Sequence, residues 1–361
     1  MLGLTIVALA FVDLRTEASF APELPAPLAS RSDSNCDLYI VSGHDADPFE
    51  NHRFWDFRDL GDYVTSEPPS ITPDQDEGME NVTSHYFSQA AFSDAWKIRN
   101  GIRNPESEVP MIYSAQNAYL STDPDSGGTQ TYLTLRTTRL QDFQSVVQLA
   151  SRDENILYAS MRARMKIIPD DMDNGNVATG AVLGFFTYAS DTQESDIEIL
   201  TRDPMDTVSF ANQPASPTTP GVSRKFQIPG GKNWTEWVDY RLDWLEGRSF
   251  WYMDDELLFQ TTNSTPTEPS QLMLNLWSNG QSFSGRMRLN REVYVGVQWI
   301  ETVFNLGNVP DETNGQTRCL VDSVATKGVP ELIQSSEVSP LAVSTAVRAL
   351  GIAVLSFIIL T

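Results

Sequence analysis

The chain has 361 residues, enough for two domains by length alone, and its 48 Asp and Glu against 25 Lys and Arg leave a formal charge of −23. A field of that sign repels phosphates, which excludes nucleic acid and anionic membrane surfaces as partners and leaves a neutral polymer without penalty. The histidines (His44, His52, His85) and the two cysteines are dispersed without metal-ligand spacing, so neither a metal nor another cofactor is expected.

In chain order, the first feature is the apolar run Leu2–Val12, which ends at Asp13 and is followed by small residues at Ala18 and Ala21. It reads as a secretory signal over residues 1–18, because cleavage after Ala21 would put Pro22 next; a buried N-terminal strand is the alternative. Pro22–Ser34 is rich in Pro, Ser and Ala, giving a linker over 19–35, and globular character starts near Cys36. One domain is expected over 36–330. Asn51–Arg58 reads as an early strand or turn over the sandwich edge and Asp62–Glu80 as a loop. Leu133 and Leu135 share one side of a strand.

From Leu157 to Ile167, Ala159, Met161, Ala163 and Met165 alternate with Tyr158, Ser160, Arg162, Arg164 and Lys166. Strict period two over that length predicts a strand with one buried and one wetter face. Asp170–Asn176 has the outline of a calcium loop but lacks the distant bidentate Glu, so an Asn-Gly turn is expected. In the strand Leu272–Trp277 the three leucines take core parity and leave Asn275 and Trp277 on the other face. Many short strands joined by Gly, Pro and Asn loops, with no long 3.6-residue period before the terminal tail, predict an all-β antiparallel sandwich.

The far end, Ala349–Leu360, is apolar, and as a helix it would span roughly 18 Å against the ~30 Å of a bilayer core. With the small, polar stretch Ser335–Ser339 before it, residues 331–361 read as a signal for attachment of a glycosylphosphatidylinositol lipid at Ser335 or Ser336; a tilted single span from Leu341 is the alternative. Sequons at Asn81, Asn233 and Asn263 fit a secretory route. In an oxidising compartment Cys36 and Cys319 are expected to pair and tie the domain ends together.

The most specific segment is Glu194-Ser195-Asp196-Ile197-Glu198. On a strand its three acids project from one face while Ile197 and Ile199 point into a core. Three like charges on one face repel, so folding alone gives little reason for them; glycosidic cleavage gives one, needing a nucleophilic carboxylate, a proton-donating acid and a neighbour that separates their pKa values. A solvated acidic edge strand is the rival reading.

The E-x-D-x-E string resembles the active-site motif of glycoside hydrolase family 16. Two further segments share that resemblance: Tyr240-Arg241-Leu242-Asp243-Trp244 with Trp251-Tyr252-Met253-Asp254-Asp255, and Leu274-Asn275-Leu276-Trp277-Ser278-Asn279-Gly280. It covers roughly residues 85 to 305 and implies a β-jelly-roll sandwich with a carbohydrate cleft. Carried over position by position, it implies Glu194 as nucleophile, Asp196 as assisting acid and Glu198 as acid/base.

Thr192 stands where lichenase-type members carry Trp, so the stacking surface must differ from theirs. Asn275 and Trp277 are the leading substrate contacts, an amide for hydroxyls and an indole for a pyranose face. Trp234 and Trp237 are expected at the cleft rim and Tyr188 in the cleft, whereas Trp244, Trp251 and Trp299 are expected in the core. The resemblance implies a monomeric, extracellular or surface-held hydrolase of neutral β-1,3 or β-1,3/1,4 glucan, within a group that includes fungal wall glucanases. A wall transglycosylase and a non-catalytic lectin-like sandwich remain as alternatives.

Overall fold

The computed structural model describes residues 36–69, 82–103, 108–169, 175–215, 219–307 and 316–333. The expected signal and linker, Asn81, residues 170–174 and the tail beyond 333 lie outside the described residues. In chain order the strands are β1 (Leu38–Ile40), β2 (Asn51–Asp56), β3 (Trp96–Ile98), β4 (Gly101–Arg103), β5 (Met111–Tyr113), β6 (Ala118–Thr122) and β7 (Thr131–Arg139). There follow β8 (Gln144–Ser151), β9 (Ile156–Ile168), β10 (Val182–Ser190), β11 (Gln193–Leu200), β12 (Thr207–Asn212), β13 (Ser223–Gln227) and β14 (Val238–Leu245). Last come β15 (Arg248–Met253), β16 (Glu256–Thr261), β17 (Gln271–Trp277), β18 (Glu292–Leu306), β19 (Arg318–Leu320) and β20 (Glu331–Leu332).

Two antiparallel layers face each other. One runs β3-β8-β17-β10-β11-β12-β13. The other runs β6-β7-β18-β9-β14-β15-β16, with β2 beside the second half of β18. Pairing of Thr138 with Ser145 and Arg139 with Gln144 carries β7 of one layer into β8 of the other, so the fold is nearly closed along that edge. This is the β-jelly-roll sandwich the sequence led us to expect.

Period two decides which side of each strand meets the core. Met161, Ala163, Met165, Val295, Val297, Leu242 and Trp251 face Leu149, Leu183, Phe185, Ile197, Ile199, Leu272, Leu274 and Leu276, all fully buried in one cluster. A one-residue slip of β11 would exchange Ile197 and Ile199 for the acids. Each isoleucine contributes about 1.5–3 kcal/mol by burial, so the register is held firmly.

A third, small sheet, β1-β19-β20, ties the chain ends together. Cys36 and Cys319 form a disulfide with their Cα atoms 5.8 Å apart. The strap over residues 316–333 lies against the outer face of β9 and β14. There Asp322 accepts hydrogen bonds from Ser42 N (2.6 Å), Ser42 Oγ (2.7 Å) and Arg241 (3.2 Å), and it pairs with Arg162.

Arg162, on the face of β9 expected to be wetter, is therefore buried, with Glu301 as a second partner at 3.7 Å. Burial lowers its pKa to about 10. Trp244 and Trp251 occupy the core as expected. Trp299 is buried on the outer side instead, beneath the Lys327 ammonium at 4.4 Å, because a register shift at Gln298 turns it outward.

Candidate active site

β11 lies between β10 and β12, entered by the tight turn at Asp191 and Thr192. Its position is set from below. Trp251, reaching across the core from the opposite layer, donates its indole N–H to the Asp196 carbonyl at 2.9 Å. That indole is itself wedged between Phe210 and Phe259, near-parallel rings 6.0 and 5.1 Å away. Ser195, on the core side, bonds Asn212 Oδ1 at 2.5 Å. With the underside locked, Glu194, Asp196 and Glu198 share the outer face of the layer.

Register then aligns these acids with three neighbouring strands. Glu198 pairs with Gly184, Gly184 with Asn275 and Asn275 with Gln148, forming one row across the sheet. The next row is Asp196, Phe186, Met273 and Ala150, and the third is Glu194, Tyr188 and Gln271. Two small apolar patches flank the polar row, separate from the main core: Ala150, Phe186, Met273 and Tyr188 on one side, and Met111, Tyr113, Val146 and Trp277 on the other. A polar strip between apolar patches is a surface suited to sugars, whose rings carry hydroxyl edges and apolar faces.

All three carboxyls are held above the ordinary carboxylate range, with burial the first cause in each. For Glu194 the charges of Asp196 and Glu198 add to that, and for Glu198 the charge of Asp196 does. Asp196 is 2 % exposed and is raised less, to about 6, because hydrogen bonds from Glu194 and Gln213 stabilise its anion. Gln213 donates Nε2–H to Asp196 Oδ2 at 2.9 Å and its backbone N–H to the Glu194 carbonyl at 2.9 Å. Glu194 and Asp196 thus share a proton, and its titration belongs to the pair. The trio carries fewer than three negative charges at neutral pH, which is the condition for one carboxyl to act as acid beside another acting as base.

The face holds an open groove of about 740 Å³ over Tyr188, Phe186, Gln271, Met273, Gln148 and Tyr113. The first two of these are the register partners of Glu194 and Asp196, so the groove borders the acid row. Tyr188 lines it, with its hydroxyl donating to Asp191 at 2.9 Å. Asn275 is buried in the polar row with its Oδ1 unpartnered, and Trp277 is half-buried in the row beyond it, opposite Val182.

Two expectations fail. Trp234 is 1 % exposed, packed in the core with its indole N–H on the Pro204 carbonyl at 3.3 Å. Trp237, one residue before the inward-facing Val238, projects from the outside of the opposite layer. There Lys166 caps its ring at 4.6 Å and Tyr132 meets it edge-on. Neither is a rim residue, because the loop carrying them closes the β9–β14 layer rather than the acid-bearing one.

The Asn233 carboxamide on that loop accepts from Thr235 N (2.9 Å) and Oγ1 (2.5 Å). Asn263 is exposed and donates to the Pro220 carbonyl at 3.1 Å. A second cavity of about 420 Å³, on the opposite layer beside Arg164, Asp239 and Lys327, is lined largely by paired charges under the strap. Among the described residues no group of three or more His, Cys, Asp or Glu is arranged to hold a metal ion.

Three residues of the site escaped sequence reasoning. Gly184 had a signal, since an isolated glycine inside a strand marks a close approach. Gln213 and Trp251 had none, because each meets Asp196 only through tertiary contact.

An antiparallel sandwich with an open groove beside a row of proton-sharing carboxyls is the build of an acid/base hydrolase of glycans. The chain belongs to glycosyl hydrolases family 16, whose family model matches residues 107–299. It is 31% identical over 116 residues to a beta-glucanase of Bacillus subtilis (strain 168), covering 28% of this chain and 42% of that protein. It is 30% identical over 136 residues to a beta-glucanase of Paenibacillus polymyxa, covering 35% of this chain and 55% of the relative. The chain thus spans about half the length of the curated relatives it matches. Among solved structures, the Bacillus licheniformis beta-glucanase aligns with 58% of this chain and 92% of its own at 21% identity and a TM-score of 0.46.

Proposed function

We propose that the chain is a retaining endo-β-glucanase that cleaves β-1,3 or mixed β-1,3/1,4 glucan outside the cell. The observation that carries this is the trio of carboxyls on the outer face of β11, in register with Tyr188, Phe186 and Gly184 and bordering an open groove. Glu194 attacks the anomeric carbon while Glu198, whose pKa is raised first by burial, gives its proton to the departing oxygen. The resulting glycosyl ester is opened by water. Glu198, now a carboxylate, takes the water's proton, the hydroxyl bonds the anomeric carbon, and Glu194 leaves as carboxylate with configuration retained. The proton shared by the pair passes to Asp196 as Glu194 attacks, and the Gln213 amide, donating to Oδ2, orients the Asp196 carboxyl.

Four residues of extended strand separate Cα atoms by ~13 Å, whereas retention needs carboxyls ~5 Å apart. Retention therefore requires the Glu194 and Glu198 side chains to lean toward each other over Asp196. The beta-glucanase relatives support glucan as substrate. The disulfide supports an oxidising compartment. A catalytic domain over 36–330, with a lipid-anchoring signal after it, completes the proposal and rests on sequence pattern.

Glu194→Gln tests the reading on laminarin and lichenan, with product anomers followed by NMR. Hydrolysis should fall by at least about 10³-fold with glucan binding retained, and the wild type should release the β-anomer first. Undiminished hydrolysis removes Glu194 from the mechanism. Products longer than the starting oligomers would show transfer to sugar in place of water.

A further inference from the structure

β12 presents a different set of side chains to the acids than β10 does. Ser209 stands opposite Glu198 and Ala211 opposite Asp196. Gln213, just past the end of β12, comes next in line and donates its backbone N–H to the Glu194 carbonyl at 2.9 Å. Its side chain is half-buried and runs diagonally to Asp196, past the short Ala211. Both ends of the amide are committed: Ala215 donates its backbone N–H to Oε1 at 2.7 Å, and Nε2 donates to Asp196 Oδ2 at 2.9 Å. A backbone N–H only donates, so it fixes which end of the amide is oxygen and leaves the NH2 end to face the carboxyl. Among the described residues only Glu194 and Gln213 hydrogen-bond to the Asp196 carboxyl. The other charged or titratable groups facing the pair are Glu198 on β11, Asp191 in the turn and Tyr188 on β10, with Arg103 beyond Tyr188. β12 and β17 bring neutral side chains there, Ser209, Ala211, Gln271 and Met273.

We propose that Gln213 is a positioning residue for the proton exchange between the two acids: by occupying Oδ2 it directs the shared proton to Asp196 Oδ1. An oxygen that already accepts an N–H is the poorer home for a proton, so the proton moves along a single hydrogen bond between Glu194 and Oδ1. It passes to Oδ1 as Glu194 attacks and is shared again once water opens the ester and Glu194 leaves as carboxylate. No proton of the pair is lost to solvent, and Glu198 handles the protons of the leaving oxygen and the water separately. The inference rests on the retaining-hydrolase reading and deepens it. Because the Gln213 bond favours the charged form of Asp196, its loss makes the pair hold protons more tightly and leaves either oxygen of Asp196 free to take one.

The test compares the purified full chain with Gln213→Met, which keeps the length and loses both amide bonds, and Gln213→Glu, which keeps the acceptor for Ala215 and puts a carboxyl oxygen where the donor was. The pH profiles of kcat and KM are measured on lichenan, and the Glu194–Asp196 titration is followed without substrate by NMR of the side-chain carboxyl carbons. Thermal melts check that each variant folds. In both variants the acid limb of kcat and the titration of the pair should move up by about one pH unit. At the optimum kcat should fall about tenfold while KM stays within about twofold. A lower kcat with limb and titration unmoved would show that Gln213 only shapes its loop, and a Gln213→Glu protein with wild-type kcat and limb would show that no donor is needed; either result overturns the proposal. If the wild type hydrolyses no β-glucan, the glucan reading falls, and the NMR titration still decides on Gln213: a rise of about one unit upholds its role, and an unchanged titration removes it.

Discussion

Gly184 is the position where a single added methyl should separate folding from catalysis. A Cβ there would fall 2.7 Å from Asn275 Oδ1 and 3.3 Å from the Phe186 ring, whereas ordinary contact starts at 3.4 Å. Its φ is outside the left-handed region, so alanine keeps the backbone and the conflict is purely steric. Asn275 must give by about 0.7 Å, and being 2 % exposed between β10 and β8 it has little room to do so. Overpacking of this kind costs ~1–3 kcal/mol of stability.

Activity should suffer more. Misplacing a substrate-positioning group by about this distance costs about 10- to 100-fold in kcat/KM. Urea unfolding and initial rates on lichenan read the two effects separately. The double variant Gly184→Ala/Asn275→Ala removes the clash, so its stability loss should be about 1 kcal/mol less than the sum of the single variants. A Gly184→Ala protein with wild-type kcat/KM, or strict additivity in the double variant, would refute the reasoning.

Asp322→Ala should destabilise the domain by about 2 kcal/mol in urea titrations, because it leaves the buried Arg162 guanidinium only the more distant Glu301 carboxylate at 3.7 Å and takes an acceptor from Ser42 and Arg241; a loss below about 1 kcal/mol would show the strap to be weakly held. The acid trio should make stability fall as pH rises. A folded pKa above the unfolded one contributes stability in full below the ordinary carboxylate range, and that contribution is lost as pH climbs through the raised value. Glu194→Gln should therefore melt higher than the wild type at pH 8 and nearly level with it at pH 4, and an unchanged gap at the two pH values would count against the coupling.

What the sequence determined by itself was parity. Alternation along Leu272–Trp277 and around Ile197 and Ile199 placed the leucines and isoleucines inside and Glu194, Asp196, Glu198, Asn275 and Trp277 outside, because strand side chains alternate whatever the strand pairs with. The pairing of Cys36 with Cys319 was legible for a similarly local reason, as only two thiols were present to choose from.

Tertiary structure decided everything that depends on which strands become neighbours. The row joining Glu198 to Gly184 and Asn275 unites residues far apart in the chain, and only β10 pairing with both β11 and β17 brings them together. The same holds for Arg162, whose expected wet face is covered by the strap, and for Trp234 and Trp237, whose loop sits on the other layer. An indole carries the same apolar surface in a cleft, in a core or beneath a lysine. Its local sequence therefore does not choose among these places; the packing of distant strands does.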